Sequence, residues 1–414
     1  MTTPGGNQRV NIARLSRRLE ELGRVGALPG GGVCRLALSD EDAAGRELVV
    51  GWMKALGLAV SVDRLGNVWG VRAGTGDGPP VLIGSHIDTV ATGGLYDGSL
   101  GVLAGLEVIE CLNDAGIVTR HPVAVAFFTN EEGARFAPDM MGSAVHQGTL
   151  ALDEALAVVG IDGRTVGAEL ERIGYAGDVE PAALRARAFL ELHVEQGPVL
   201  ERDGIAIGAV TGVQGISWTE YTVAGVSNHA GTTPMALRCD AGLVAARAIV
   251  AARETALALA GSQVATVGSL ALEPGLVNVV PEKAVLTVDL RNTEEDRLKQ
   301  AERLTAAAIA KAAAEEGATV TSRTLARFEP VAFDDGLVSR IERAARDLGH
   351  SVRRMPSGAG HDAQMFAPHC PTAMIFVPSR DGLSHNVREY TAPEQIEAGA
   401  DVLLQVTLAL ANDA

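Results

Sequence analysis

Two textures of apolar and polar positions divide this chain. In the first, short unbroken apolar runs stand between amphipathic stretches. Ser39 to Leu56 opens on a hydroxyl suited to capping, continues with Asp40, Glu41 and Asp42, and stops at Gly57, which predicts a helix. Leu58 to Gly74 alternates around a Gly66-Asn67 turn and predicts a hairpin. Apolar runs at Pro79–Val90, Pro122–Thr129, Ala188–Leu192 and Thr372–Val377 predict buried strands, and Leu100–Leu112 predicts a helix. Such strands alternating with helices imply an α/β fold with a mostly parallel sheet, whose strands are buried on both faces.

The second texture runs through residues 212–327. Trp218–Gly225, Ala265–Leu270, Asn278–Arg291 and Gly317–Leu325 alternate as half-exposed strands do, and Ala-rich helices are predicted near Leu243–Leu259 and Glu295–Glu316. The order strand, helix, strands, helix, strand implies an α+β sandwich of ferredoxin-like type. Chemistry-bearing residues flank it on both sides. The expected organisation is therefore a catalytic domain in two parts, 1–211 and 328–414, with the domain 212–327 inserted.

Length and charge narrow the function classes. A chain of 414 residues suits two or three domains at about 150 residues each. A formal net charge of −16, from 35 Lys+Arg against 51 Asp+Glu, argues against a nucleic-acid or anionic-membrane partner. It leaves room for a small anionic substrate, which needs only one local arginine. Cys34, Cys111, Cys239 and Cys370 are widely spaced without a C-x-x-C pair, so they are expected to be reduced and mostly buried. The N-terminus shows no apolar signal-peptide core, and no run of about 18 apolar residues suggests a membrane span, so a cytoplasmic protein is expected.

In open α/β sheets ligands collect at the carboxyl ends of strands. Here those ends carry metal-type side chains: His86 and Asp88 in GSHIDTV, Glu131 and Glu132 in TNEEGARF, and His193 in ELHVEQGP. Asp97 stands before a predicted helix, and His385 lies in GLSHN. Taken singly, Asp97 reads as a helix cap, the Glu pair as a surface turn, and each histidine as an ordinary one. Together His86, Asp97, Glu132, His193 and His385 offer nitrogen and oxygen donors that suit Zn²⁺, Mn²⁺, Co²⁺ or Ni²⁺. Two ions can share such a set if one carboxylate bridges.

The motifs GSHIDTV, YDGSLGV, NEEGARF, ELHVEQGP, SNHAGTTPM, GAGHDA and SHN, in this order, resemble those of the dinuclear-metal amidohydrolases. These are the N-carbamoyl-L-amino-acid hydrolases, allantoate amidohydrolases and β-ureidopropionases, relatives of the aminoacylase and carboxypeptidase-type metallopeptidases. The resemblance runs from about Leu36 to the C-terminus. It implies that His86, Asp97 and His193 hold one divalent ion and Asp97, Glu132 and His385 the other, Zn²⁺ foremost. It implies Glu131 as general base, Asp88 as the residue orienting His86, and the inserted domain as a lid that builds a homodimer. His229 would stabilise the oxyanion from the partner subunit. Arg291 and Asn278 would hold the substrate carboxylate, Gln196 would make a polar contact near the metals, and Gly360 would offer a backbone N–H. His361 and Asp362 would stand behind the ligands.

Without the resemblance, His229 reads as a surface-loop histidine and Arg291 as a surface ion pair. The His of ELHVEQGP, where the peptidase branch usually has an acid, favours the carbamoyl-hydrolysing branch. Gly215-Ile216-Ser217-Trp218 stands where the allantoate branch is polar, which favours N-carbamoyl-L-amino acids as substrates. Allantoate, ureidoglycolate and N-carbamoyl-β-alanine are the alternatives, with aminoacylase or dipeptidase chemistry behind them. A metal-stabilised binding protein would need the ligands but no general base, so Glu131 argues for an enzyme.

Overall fold

The computed structural model describes residues 8–413, so the N-terminal stretch considered above for a signal peptide lies partly outside it. In chain order the strands are β1 (Ala59–Val62), β2 (Val68–Arg72), β3 (Val81–His86), β4 (Val123–Phe128), β5 (Ala188–Val194) and β6 (Ile207–Val213). They continue as β7 (Gly215–Ala224), β8 (Asn228–His229), β9 (Val264–Glu273), β10 (Val279–Val280), β11 (Lys283–Asn292) and β12 (Thr319–Phe328). The last are β13 (Val331–Ala332), β14 (Val352–Ser357) and β15 (Thr372–Val377). The chain divides into two compact units, one running to Thr211 and resuming at Ala332, the other Gly212–Val331.

The larger unit is built on a nine-stranded sheet of order β1-β2-β4-β3-β5-β15-β6-β13, with β14 paired to β6. Its centre, β4-β3-β5-β15, is parallel. Every residue of these four strands is buried, as their unbroken apolar sequences require. The flanks depart from the parallel expectation: β1 pairs antiparallel with β2, β2 with β4, and β6 with β15. The short β1–β2 connection permits only an antiparallel hairpin. Two helices pack on the centre, Ser99–Asp114 against β3 and β5, and Pro393–Asn412 against β5 and β15. They also touch each other and are buried along most of their length. Short helices at Met141–Gln147, Leu152–Ala157 and Val166–Ile173 were not foreseen; they close a second apolar cluster over Leu65 and Phe136.

The smaller unit has a four-stranded antiparallel sheet, β12-β7-β11-β9, with helices Ala241–Leu259 and Glu295–Glu315 packed against it. Burial alternates strictly along β11, with Ala284, Leu286, Val288 and Leu290 against Val244, Ala248, Leu298 and Ile309 of the helices. Each large aliphatic side chain buried there contributes about 1.5–3 kcal/mol.

Of the cysteines, Cys111 is buried and Cys34, Cys239 and Cys370 are half-buried free thiols, so the expectation of mostly buried thiols holds for one. Among the described residues, no helix is long and apolar enough to cross a membrane.

One buried ion pair fixes the loop that follows β4. The Arg46 guanidinium, on the helix capped by Ser39, donates to Asp42 Oδ2 at 2.8 Å, to the Gly66 carbonyl at 2.6 Å and to Thr129 Oγ1 at 3.1 Å. Asn67 Oδ1 accepts from the Thr129 N–H at 2.9 Å. The Gly66-Asn67 turn thus holds the exit of β4, next to Glu131. Arg46→Ala would leave Asp42 buried without its cation and is expected to destabilise the larger unit by about 3–5 kcal/mol in urea unfolding. A loss below about 1 kcal/mol, the scale of an exposed pair, would mean that the pair carries no such weight.

Candidate functional site

Because β4, β3 and β5 are parallel neighbours, their carboxyl ends lie side by side and bring Glu131, His86 and His193 together. Asp97 enters from the loop before the Ser99 helix. Its carboxylate lies between the histidines: Oδ1 is 3.6 Å from His86 Nε2 and 3.2 Å from His193 Nε2, and Oδ2 is 3.4 Å from His385 Nε2. Glu132 Oε2 stands 3.2 Å from the same His385 nitrogen. Two ligand-type groups result, His86–Asp97–His193 and Asp97–Glu132–His385, with Asp97 in both. The first is fully buried, whereas the His385 side chain is 50% exposed, so the second group is the open side. Gly98 makes this approach feasible: its φ is 63°, and a Cβ there would lie 2.4 Å from the His86 ring.

Hydrogen bonding tests whether these residues suit a cation. His86 Nδ1 is 2.9 Å from the Asp88 carbonyl and His193 Nδ1 is 2.9 Å from the Val194 carbonyl. A carbonyl only accepts, so each Nδ1 carries the proton and donates. In the neutral ring the Nε2 lone pair then faces the Asp97 carboxylate. The Gly98 N–H, 3.2 Å from His193 Nε2, donates to that lone pair. Lone pairs aimed at lone pairs are repulsive unless a positive charge stands between them, and the donors are those that hold divalent transition metals. The site field agrees. Burial opposes charge on His86, yet Glu131, Asp97 and Asp88 raise its pKa well above the usual histidine range. Burial likewise opposes charge on Asp97, yet His193 and His86 hold it well below the carboxylate range.

A third group, Glu191–His193–His361, also lies within ligand distance. Its carboxylate is already engaged: Glu191 Oε1 accepts from Ser85 Oγ at 2.7 Å and Oε2 from the Ala363 N–H at 3.0 Å. His361 is bonded to Ser357 Oγ at 2.8 Å. This group therefore reads as the backing of His193, whose ring meets His361 edge-on at 4.6 Å.

Glu131 is 7% exposed with Oε2 3.4 Å from His86 Nε2. Burial pushes its carboxyl well above the usual range; His86 opposes this, while Asp362, Glu132 and Asp97 add to it. A buried carboxylate poised to take a proton suits a general base. Asn130, at φ 58°, turns the chain so that Glu131 faces His86 while Glu132 faces His385. Asp88 meets His86 through its backbone. Its main-chain carbonyl, not its carboxylate, orients His86. The carboxylate instead accepts from the backbone N–H groups of Glu131 and Glu132 at 3.3 and 3.4 Å.

Gln196 donates from Nε2 to Asp97 Oδ2 at 3.0 Å, and Gly360 adjoins His361 behind His193. His229, Asn278 and Arg291 belong to the smaller unit. The Ala230 N–H donates to the Asn278 carbonyl, and β8 pairs with β10, so His229 and Asn278 are neighbours. Asn278 immediately precedes β10, which pairs with β8 in a two-stranded sheet, whereas Arg291 lies on β11 of the four-stranded sheet. Along β11, Lys283 to Arg291 spans about 26 Å at ~3.3 Å per residue. The Arg291 guanidinium donates to Asp289 at 2.8–3.1 Å and lies 5.9 Å from the Trp218 ring.

Three residues of the site escaped the sequence reading. Ser384 Oγ donates to Asp97 Oδ2 at 2.9 Å, and Glu389 accepts from the backbone around Asp97. Glu191 had a usable signal, since it stands two residues before His193 on one strand and shares its face.

This chain is 42% identical to an N-carbamoyl-L-amino-acid amidohydrolase from Rhizobium meliloti, over 100% of this chain and 99% of the relative. It is 41% identical to an N-carbamoyl-L-amino acid amidohydrolase from Geobacillus stearothermophilus, covering 96% and 98%. Among solved structures, an amidase of the hydantoinase/carbamoylase family from Burkholderia multivorans superposes with a TM-score of 0.96 at 46% identity, covering 98% of this chain and 99% of that one. Residues 82–409, most of the chain, match the peptidase family M20/M25/M40, and the chain belongs to that family.

Proposed function

We propose that this protein hydrolyses the ureido C–N bond of N-carbamoyl-L-amino acids, giving the amino acid, CO₂ and ammonia. The observation that carries the reading is the Asp97 carboxylate, one oxygen toward His86 and His193 and the other toward His385, with Glu131 beside His86. The names of its close relatives supply the substrate class. His86, Asp97 and His193 would hold one divalent ion and Asp97, Glu132 and His385 a second, Zn²⁺ first and Mn²⁺, Co²⁺ or Ni²⁺ otherwise. When bound, such ions supply Lewis acidity toward the attacking water and the ureido carbonyl.

The chain's own residues supply the proton handling. Glu131 takes a proton from the attacking water and later gives one to the leaving nitrogen. The Asp88 carboxylate, by accepting from the Glu131 and Glu132 N–H groups, keeps the two glutamates pointed apart. An imidazole N–H from His229 stabilises charge developing on the carbonyl oxygen. Arg291 holds the substrate carboxylate, with a guanidinium oriented by Asp289.

A homodimer fits this assignment. Within one chain, His229 and Asn278 belong to the small β8–β10 sheet and its flanks, and Arg291 to the four-stranded sheet. The reading takes His229 and Asn278 from a second copy. The edge strand β9 and the helix Ala241–Leu259 beside it expose Val264, Leu270, Leu272, Ile249, Val250 and Leu257, an apolar edge of the kind a second copy covers in a C2 dimer.

An ammonia-release screen tests the substrate. Metal-free protein reloaded with Zn²⁺, Mn²⁺, Co²⁺ or Ni²⁺ is expected to turn over N-carbamoyl-L-amino acids in preference to allantoate, ureidoglycolate, N-carbamoyl-β-alanine, N-acyl amino acids and dipeptides. Preference for any of the others contradicts the assignment. A mixing experiment tests the dimer. Glu131→Gln is expected to lose at least ~10²-fold in kcat while keeping its metal, and His229→Ala to be similarly weak. Heterodimers formed from the two carry one intact site, so activity should recover toward about a quarter of wild type on random pairing. Exchange of subunits without recovery would place His229 in its own chain's site or outside any.

A further inference from the structure

The segment that delivers His385 is tied to the loop that delivers Asp97, and one buried carboxylate makes the tie. Glu389, 5% exposed, sends Oε1 to the backbone N–H of Tyr96 at 2.9 Å and of Asp97 at 3.1 Å, across 293 and 292 residues of sequence. Ser384, five residues earlier, donates its hydroxyl to Asp97 Oδ2 at 2.9 Å, while Glu389 Oε2 lies 3.4 Å from the same hydroxyl. That oxygen has one proton, and the shorter contact takes it, so Ser384 serves Asp97. Tyr390 meets Tyr96 edge-on at 6.3 Å. The loop is shaped to receive this carboxylate. A Cβ on Gly94 would lie 2.2–2.4 Å from Glu389 Oε1, Cδ and Cβ. Glycine there is set by space and not by backbone conformation, because Gly94 is absent from the positive-φ residues.

The placement of Asp97 is unusual enough to need such support. One carboxylate must present its two oxygens to two different sets of imidazoles. A small rotation of the Asp97 backbone about Gly98 would withdraw it from both. The Asp97 N–H precedes the helix Ser99–Asp114, so no intrahelical carbonyl holds it. Glu389 supplies the acceptor. Asp97 in turn feeds both metal groups, whereas His385 feeds only one.

We infer that Glu389 is a positioning residue for the dinuclear site, holding the Asp97 backbone so that its carboxylate serves both ligand groups at once. It touches neither substrate nor ion. This rests on the two-metal reading proposed above, and the two can fail separately. A positioning role through backbone hydrogen bonds needs an acceptor at the Oε1 position, not a negative charge. Gln at 389 satisfies that need; Ala, and Asp shortened by one methylene, do not. Gly94→Ala displaces the same carboxylate while leaving Glu389 and every ligand unchanged.

The test titrates full-length, metal-free protein with Zn²⁺ against a chromophoric chelator and with Co²⁺ by visible absorption. Two ions are expected to bind wild type; if none or one binds, the two-metal reading fails before Glu389 is at issue. Given two, Glu389→Ala and Gly94→Ala should raise both dissociation constants by about 10–100-fold, as for other residues that orient ligands. The Co²⁺ absorption bands should change with them. Glu389→Gln should bind within about threefold of wild type, with wild-type bands, because the acceptor is retained. If Glu389→Ala does not fold, Glu389→Asp and Gly94→Ala decide the matter by the same readout. Unchanged binding and bands in the folded variants would overturn the inference. So would a loss confined to one ion, because Asp97 is common to both.

Discussion

The constraint on which the rest of the structure depends is one buried carboxylate with a different imidazole partner at each oxygen. Asp97 is 3% exposed, and Glu131, Glu132 and Glu389 lie close to it. So many acids in a space of low polarity repel one another and resist burial. His86 and His193 offset part of this by favouring the charged form of Asp97, while each donates its Nδ1 N–H to a main-chain carbonyl and leaves Nε2 facing the carboxylate. Positive charge of the kind a divalent cation supplies, set between these groups, would resolve the rest of the conflict.

Such an arrangement needs a stiff frame, and the sheet supplies it. Three neighbouring parallel strands set the spacing of Glu131, His86 and His193. Tight turns then carry the last few degrees of aim. Asn130, Gln196 and His385 all adopt left-handed backbone conformations, at φ 58°, 59° and 52°. Each costs on the order of 1–3 kcal/mol in isolation, a strain typical of sites that hold their geometry in advance. The hydrogen bonds of the Asn130 side chain to the Phe136 and Pro138 carbonyls show how one of these turns is held.

Much of this was legible in the sequence. Short unbroken apolar runs bounded by turn signals suit buried strands, so β3, β4, β5 and β15 stood out, and the residues just past them were the natural candidates. Alternation likewise marked β7, β11 and β12, and in burial it is strict along β11. What stayed hidden has one physical character. Asp88 aims His86 through its carbonyl, a group every residue has, so the sequence could not say which of its groups does so. Glu389 acts on backbone N–H groups 292 and 293 residues away, and a main-chain donor leaves no mark on composition or spacing. That Asn278 and Arg291 serve different sheets became visible only with the pairing of β8 with β10 and of β7 with β11. Motif order places residues in a list, and only strand pairing places them in space.

The central claim is that Asp97 is shared by two ions. Diffraction data collected across the absorption edge of a bound metal, on crystals of protein reconstituted with Zn²⁺, test it most directly. The account expects two anomalous peaks about 3.5–4 Å apart, one against each Asp97 oxygen, with His86 and His193 on one and Glu132 and His385 on the other. A single peak, or a peak among Glu191, His193 and His361 with none at Asp97, would contradict it.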